Sequence, residues 1–193
     1  ELVADLVEKY KPDNPSQELV DAEMAEAGYE KDAEGFWAKD GARLQPEFHC
    51  ACWLGPMGPV VEKQLRDAGF DVTVKLVTTT CDPFFETVRT GQADMWIIVH
   101  CGSSREPWGT LQHYHSKFAS PEQGKTNNYI WANSQYMNPD YDAIIDQLDG
   151  IPPSPDDPQY TELVRQAIDI YLRDVIEITM SEERHVRTYN YHY

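Results

Sequence analysis

The feature that most constrains the fold is an alternation of short apolar strands and amphipathic helices in the middle of the chain. Strands are predicted over residues 48–53, 72–76 and 93–99, and helices over residues 58–68 and 82–91. Strands joined by crossover helices pair in parallel, because each helix returns the chain to the same end of the sheet. The nearly continuous apolar run 93–99 is typical of a central strand covered on both faces. The pattern therefore predicts an α/β core with a mixed, mainly parallel sheet and helices on both faces.

A leading segment, residues 1–45, precedes this core. Its helices are predicted over residues 1–11 and 14–28. A hairpin is predicted at Asp40-Gly41, because this dipeptide tolerates the positive φ that a type I′ turn requires at both central positions. The leading segment and an α/β core over residues 46–193 are expected to form a single lobe, residues 1–193.

The chain beyond the three strands is predicted to be mainly helical. Asn138-Pro139 and Asp157-Pro158 are typical helix starts, in which a capping side chain precedes a proline at the first helical position. Apolar side chains at helical spacing extend these helices to about residues 148 and 175. Residues 176–180 and 186–193 are predicted to be strands, the second because its aromatic residues alternate.

The loops that follow the central strands carry the candidate ligand-binding residues. The carboxyl ends of parallel strands meet at one edge of the sheet, and open α/β sheets bind ligands there. The candidates are Trp53, His100, Gly102, Ser103, Arg105, Glu106 and Trp108. Aromatic faces combined with a few polar groups suit a peptide backbone or a sugar ring. For Trp108 the alternative is a structural role, in which the indole seals the hydrophobic core under the loop.

The charge balance excludes several classes of function. The 16 basic and 33 acidic residues give a formal net charge of −17. Nucleic-acid binding and docking on anionic lipid both depend on clustered Lys and Arg, so neither partner is expected. The longest apolar run comprises residues 95–99, far short of the roughly 18 residues that span a bilayer. A membrane-spanning or nucleic-acid-coating protein is therefore excluded.

Four cysteines, Cys50, Cys52, Cys81 and Cys101, leave the redox chemistry open. Their spacing fits no zinc site, and a chain of this length does not need disulfides, which favours buried free thiols. Disulfides in an oxidising compartment remain the alternative. The neighbours His100 and Cys101 suggest a thiol-dependent α/β enzyme, with Cys52 as the other candidate nucleophile. Since adjacent strand side chains point to opposite faces, binding without catalysis is favoured over an enzyme.

No metal or cofactor is expected. The segment His113-Tyr114-His115 places two imidazoles on one face of an extended chain, but no acidic or Cys ligand accompanies them at a useful spacing. No glycine-rich, phosphate-binding loop follows a predicted strand, which argues against a nucleotide cofactor. A binding module therefore accounts for the sequence better than a metal-dependent or nucleotide-dependent enzyme.

Five groups of motifs resemble, in order and spacing, the extracytoplasmic solute-binding proteins of the dipeptide/oligopeptide ABC importer family (family 5). The matching residues are 25–29 with 35–41, 65–72, 82–85 with 90–95, 133–142 and 169–172. For example, residues 25–29 read Ala-Glu-Ala-Gly-Tyr, as in the family's leading segment. Residues 91–95 read Gly-Gln-Ala-Asp-Met and are similar to its G-x-F-D-M segment. The resemblance runs from about residue 16 to the end and covers the second of the family's two large lobes.

The resemblance implies a type II periplasmic-binding-protein-like lobe, cut from a longer extracytoplasmic receptor that is periplasmic or lipid-anchored. Glu1 in place of Met, with no leader segment after it, fits this expectation. In this family the ligand lies in a cleft between two lobes, which close over it and deliver it to a membrane permease. A peptide or oligosaccharide ligand, an ABC permease and a monomeric state are therefore expected.

Two departures from the family affect the expected ligand. The family's loop after the central strand carries an Asp that pairs with a peptide amino terminus, and Ser103 stands there; Glu106 replaces it only if the loop is shifted. The family's carboxylate-binding Arg has no basic counterpart near Trp53. Losing both charges weakens dipeptide binding, since hydrogen bonds to charged groups contribute about 1.5–3 kcal/mol each. Stacking of an oligosaccharide on Trp53 and Trp108 is the alternative, and the ligand set of the nickel-binding relatives is not matched.

Overall fold

The computed structural model describes residues 2–12, 16–76, 80–99, 106–120, 122–125 and 135–180. The α-helices are α1 (Ala4–Tyr10), α2 (Gln17–Glu26), α3 (Gly58–Asp67), α4 (Asp82–Arg89), α5 (Trp108–Leu111), α6 (Pro139–Asp149) and α7 (Pro158–Arg173). The strands are β1 (Glu30–Lys31), β2 (Trp37–Lys39), β3 (Ala42–Arg43), β4 (Glu47–Cys50), β5 (Thr73–Leu76) and β6 (Met95–Ile97). Short 3-10 helices span Cys52–Met57, Gln112–Tyr114 and Ser116–Phe118. In these ranges every helix is too short or too polar to span a bilayer.

A three-stranded parallel sheet, in the order β5-β4-β6, organises the described structure. In its register, Phe48 of β4 pairs with Val74 of β5 and with Met95 of β6. Helix α3 connects β4 to β5 and helix α4 lies between β5 and β6 in the chain, as parallel pairing requires. The predicted α/β core with its parallel sheet is thereby confirmed.

The central position in the described part of the sheet is occupied by a strand other than the predicted one. Within the described residues β4 lies between the other two strands, and most of its side chains are buried. The side chains of β6, which was expected to be central, are only half-buried. The apolar residues of the run 93–99 pack against the clusters on both faces of the sheet. Such packing does not determine the order of the strands.

Helices cover both faces of the sheet, because successive side chains of β4 point to opposite faces. On one face, Phe48 and Cys50 pack with Val61 of α3. On the other face, Ala51 packs with Phe84 of α4. Full burial of an apolar side chain of this size contributes about 1.5–3 kcal/mol, so the two apolar layers hold the helices on the sheet.

Helices α5, α6 and α7 form a second apolar cluster. Its most deeply buried side chains are Tyr141, Ile145, Leu148, Val164 and Ala167. Both predicted helix starts are confirmed by capping: the Asn138 and Asp157 side chains each accept hydrogen bonds from two amide N–H groups of the following turn. A proline at the first helical position follows each cap, where its missing N–H costs no hydrogen bond.

Residues 176–180 follow α7 and do not form the predicted strand. A strand is stable only when a neighbouring strand pairs with its backbone, and no strand of the described ranges lies beside this segment. Its side chains Ile178 and Met180 are exposed. The other predicted strand, residues 186–193, lies outside the described residues.

The leading segment has the predicted elements. Helices α1 and α2 are followed by an antiparallel meander of β1, β2 and β3. Asp40 and Gly41 connect β2 to β3 with φ of 51° and 77°, so both positions have the positive φ expected for the hairpin turn.

Trp37 packs this meander against the α/β core. Its indole is buried, and the indole N–H donates to the carbonyl of Ala68 at 2.9 Å. The backbone N–H of Trp37 donates to the carbonyl of Gly69 at 2.8 Å. Gly69 has φ of 95°, and a β-carbon there would lie 2.9 Å from the Trp37 indole nitrogen, so glycine is required at this junction.

Replacing Trp37 tests this docking. We expect Trp37→Ala to lower the free energy of unfolding by about 3–5 kcal/mol, because it removes a buried indole and its hydrogen bond. Urea denaturation monitored by circular dichroism measures the change. As a control, Leu19→Ala alters a side chain of α2 that is 58% exposed, and it should shift the free energy by less than about 0.5 kcal/mol. Equal effects of the two substitutions would contradict the docking role.

A polar network joins the start of α6 to the end of α7. The Tyr136 hydroxyl and the Asn138 amide both donate to Oδ2 of Asp174, at 2.5 and 3.0 Å. Arg173 donates to the other carboxylate oxygen at 2.7 Å. Hydrogen bonds from Arg173 and Tyr136 lower the pKa of Asp174 from 3.8 to about 2. The pKa of Tyr136 is raised to about 12, mainly because burial desolvates the hydroxyl and secondly because it donates a hydrogen bond to the Asp174 carboxylate.

This network predicts a pH dependence of stability. Since folding lowers the pKa of Asp174, its contribution is present above about pH 4 and is lost as the pH falls towards 2. Asp174→Asn should lower the free energy of unfolding by about 1 kcal/mol at neutral pH and reduce its slope between pH 4 and 2. Urea titrations at several pH values measure both effects. Glu23→Gln, at an exposed position of α2, is the control, and an unchanged slope in Asp174→Asn would contradict the assignment.

Candidate ligand-binding site

The strand order identifies the edge of the sheet at which a ligand can bind. After β4 the chain crosses to β5 on one side and then returns to β6 on the other side of β4. Open α/β sheets bind ligands outside the carboxyl ends of their strands, at the point where the order reverses. Here that point lies between β4 and β6. The 3-10 helix Cys52–Met57 follows β4 directly and is part of this edge.

Trp53 is an exposed aromatic side chain at this edge. Its indole is 45% exposed, and its ring centroid lies 6.1 Å from that of Phe85 on α4. Phe85 in turn makes an edge-on contact with Phe84, at 5.4 Å between centroids. Phe84 is 1% exposed and belongs to the core under the sheet. The indole is thus the outermost member of an aromatic stack that begins in the core.

A disulfide bond joins Cys52 to Cys81 beside this stack. Cys52 is the first residue of the 3-10 helix, and Cys81 is the N-cap of α4. The expectation of free thiols is therefore wrong for these two residues, because paired parallel strands bring the loops that follow them together. It is confirmed for Cys50, which is free and buried, and whose thiol pKa is raised by desolvation.

The disulfide also removes one candidate of the thiol-enzyme hypothesis. Only a thiolate acts as a nucleophile, and the sulfur of Cys52 is bonded to that of Cys81. The second candidate, Cys101, and its neighbour His100 lie outside the described residues, as do Gly102, Ser103 and Arg105.

Glu106 lies where the loop after β6 reaches the helical layer. Its carboxylate accepts a hydrogen bond from the backbone N–H of Gly109 at 3.1 Å, within the first turn of α5. The Tyr160 hydroxyl of α7 donates to the same carboxylate at 3.4 Å. The pKa of Tyr160 is raised, mainly because burial desolvates the hydroxyl and secondly because the negative charge of Glu106 lies nearby. Glu106 therefore anchors the start of α5 on α7.

Trp108 is partly buried and packs against the cluster formed by α5, α6 and α7. Its indole N–H is buried and makes no hydrogen bond in the described structure. This packing corresponds to the structural alternative weighed for Trp108. Trp53 and Trp108 belong to different apolar groups, since Trp53 lies on Phe85 and Trp108 on the α6–α7 cluster.

Two features of the edge were missed in the sequence analysis: Phe85 as a support for Trp53, and the Cys52–Cys81 bridge. Phe85 was recognised as an apolar residue of a helix, but its contact depends on the loop that precedes α3. The position of the two cysteines was the available signal, since each one lies in the loop after one of two consecutive parallel strands.

The 3-10 helix at this edge is neutral. The residues of Cys52–Met57 carry no charge, and the exposed Leu76 ends the neighbouring strand β5. A neutral aromatic surface favours flat or CH-rich groups over ionised ones, because it offers area and a π-face in place of a counter-charge.

The histidines of the segment 113–115 are part of the helical layer. The His115 ring accepts a hydrogen bond from the Lys117 backbone N–H at Nδ1, and its Nε2 lies 3.2 Å from a carboxylate oxygen of Asp146. Among the described residues no three His, Cys, Asp or Glu side chains are grouped as a metal ion would require.

Comparisons with known proteins give the fold. No protein-family model and no curated protein matches the sequence. Among solved structures, a mannohexaose-bound periplasmic oligopeptide-binding protein of an oligopeptide ABC transporter from Thermotoga maritima superposes with a TM-score of 0.72 at 20% identity. The match covers 89% of this chain and 31% of that one.

Two further solved structures are similar. NikZ from Campylobacter jejuni, in complex with Ni(L-His), has a TM-score of 0.62 at 16% identity, over 83% of this chain and 31% of that one. The oligopeptide-binding protein AppA from Bacillus subtilis, in complex with a nonapeptide, has 0.55 at 19%, over 79% and 29%. The chain thus spans less than a third of the length of these proteins. It has the periplasmic-binding-protein-like fold, which confirms the predicted fold class.

The cysteine chemistry can be tested by alkylation. In the native, unreduced protein we expect iodoacetamide to modify neither Cys52 nor Cys81, because the disulfide leaves no thiolate to react. Cys50 should react only after unfolding, because it is buried and its pKa is raised. Mass spectrometry of the digested protein locates the label. Unfolding in guanidinium without reductant is the control, and rapid native labelling of Cys52 would contradict the bridge.

Proposed function

We propose that this chain is one lobe of a solute receptor of the dipeptide/oligopeptide ABC importer family. The observation that carries the proposal is Trp53, an exposed indole supported from the core at the ligand edge of a periplasmic-binding-protein-like lobe. The receptor captures peptides or oligosaccharides outside the cytoplasm and delivers them to an ABC permease. It acts as a monomer and performs no catalysis.

The proposed mechanism follows from the position of the edge. A single lobe offers an open surface, on which a bound ligand stays largely in contact with water. Binding becomes tight when a second lobe closes over the ligand and buries most of its surface. This chain supplies one wall of that cleft. Trp53 provides the stacking face, and His100, Gly102, Ser103 and Arg105 are the proposed contacts from the loop after β6. The candidates Glu106 and Trp108 end this loop and hold α5 on the helical layer.

The ligand is proposed to be recognised by stacking and backbone hydrogen bonds more than by charge pairing. Two observations and the resemblance to the family support this. The residues of Cys52–Met57 are neutral. In the resemblance, Ser103 stands where peptide-binding members carry an acidic residue. The carboxylate of Glu106 already accepts hydrogen bonds from Gly109 and Tyr160. One similar structure holds mannohexaose and another a nonapeptide, so both ligand classes belong in the test.

An extracytoplasmic location is part of the proposal. Structural disulfides form and persist in oxidising compartments, and the Cys52–Cys81 bridge supports such a location. The similar protein from Thermotoga maritima is described as periplasmic. The thiol-dependent enzyme is the less favoured alternative, since Cys52 is in a disulfide.

Thermal unfolding of the whole receptor that contains this chain tests the proposal. The panel consists of a dipeptide, a tetrapeptide, a nonapeptide and mannohexaose. A ligand at about 100 times its dissociation constant stabilises the folded state by about 2.7 kcal/mol, which raises Tm by a few degrees. Stabilisation by the peptides or by mannohexaose supports the proposal and identifies the ligand class. A melting curve that none of the four compounds shifts would contradict it.

The role of Trp53 has its own test. Trp53→Ala should weaken binding of the stabilising compound by about tenfold or more, because a stacking aromatic is lost at the centre of the contact. Trp53→Phe should retain most of the affinity, since a ring remains. Isothermal titration calorimetry on the whole receptor measures both. Leu19→Ala is the control on a remote exposed residue, and unchanged affinity in Trp53→Ala would refute this role.

A further inference from the structure

We propose that the Cys52–Cys81 disulfide and Phe85 are positioning residues, which hold the Trp53 indole in the orientation needed to stack on a ligand. This inference rests on the proposed function and adds to it a dependence of ligand affinity on the bridge. Cys52 directly precedes Trp53, and Cys81 lies one helical turn before Phe85. The bridge thus links the two backbone segments whose side chains form the outer part of the aromatic stack.

The backbone around Trp53 is held through its neighbour Leu54, which packs against a core cluster, while Trp53 itself is not a member of that cluster. This backbone is a 3-10 helix with Pro56 inside it, and 3-10 hydrogen bonds have poorer geometry than those of an α-helix. Ala51, immediately before this helix, is completely buried, and Leu54 donates its backbone N–H to the Ala51 carbonyl at 2.8 Å. These contacts hold the start of the helix in the core but do not touch the indole. Phe85, at 6.1 Å between centroids, is the aromatic ring against the indole in the described structure.

The core under the stack is closed without the bridge. Phe84 and Val88 of α4 and Ala51 are each at most 1% exposed and form one apolar cluster beside the sheet. Cutting the disulfide leaves this packing in place, because neither cysteine is among the buried members of the cluster. Removing the disulfide therefore affects the outer part of the edge, where Trp53 and Phe85 lie. This distinguishes positioning from a general contribution to stability.

The first experiment measures the indole without any ligand. Acrylamide quenching of tryptophan fluorescence is recorded for the whole receptor, and the same measurement on Trp53→Phe is subtracted to isolate Trp53. In Cys52→Ser/Cys81→Ser the Trp53 quenching constant should rise about twofold, because an indole that leaves its support is more exposed. Phe85→Leu should act in the same direction. Phe36→Leu replaces a half-buried ring of the meander and should leave Trp53 unchanged.

The second experiment measures affinity for mannohexaose and the nonapeptide by calorimetry. Cys52→Ser/Cys81→Ser should weaken binding by about fivefold, because ordering a freed side chain on binding carries an entropic cost. Urea denaturation checks that the variant is folded under the assay conditions. Phe85→Leu keeps the bridge and serves as the second variant if the double variant does not fold.

The outcomes separate this inference from the proposed function. If Trp53→Ala loses affinity while the double variant and Phe85→Leu keep both wild-type quenching and wild-type affinity, the positioning role is wrong and the proposed function stands. If Trp53→Ala keeps its affinity, the proposed role of Trp53 is wrong. In that case quenching alone decides whether the bridge orients the indole, and an unchanged constant overturns the inference.

Discussion

Parallel pairing of β4 with β5 on one side and β6 on the other is the constraint on which the rest of the structure depends. Because all three strands point the same way, each must be joined to the next by a crossover, and the loops that leave the strands collect at one edge. Two crossover helices then need apolar partners on both faces of the sheet. Phe48 of β4 and Ala51, which directly follows this strand, supply them to α3 and α4. The buried core and the ligand edge are consequences of the same pairing.

Local patterns were sufficient for the parts of the fold that depend on burial within one element. Helices α6 and α7 follow the apolar spacing and the capping residues Asn138 and Asp157, and the hairpin follows Asp40-Gly41. Pairing between distant segments is not contained in such patterns. Residues 176–180 alternate like a strand but have no described strand beside them, and β6 was placed centrally because of its apolar run.

The candidate site shows the same division. Trp53 could be placed at the edge from the sequence because it ends a predicted strand. Its contact with Phe85, and the bond between Cys52 and Cys81, depend on which loops are neighbours across the sheet. Trp108 lies farther along the chain from its strand, at the start of α5, and its indole packs against the α6–α7 cluster. The surroundings of the two indoles therefore depend on the helices beside them, which the sequence patterns do not specify.

Charge adds a constraint of longer range. The chain carries a net charge of −17, while the residues of Cys52–Met57 beside the edge are neutral. A negative surface repels anionic solutes, and dissolved salt limits this repulsion to distances of about 8 Å at physiological ionic strength. The 3-10 helix that carries the indole supplies no charge of its own to an ionised ligand. The negative net charge and the uncharged surface both disfavour the binding of anions. Neither effect weakens the binding of an uncharged ring or a peptide backbone. The distant field and the uncharged indole surface thus act in the same direction, against anionic groups.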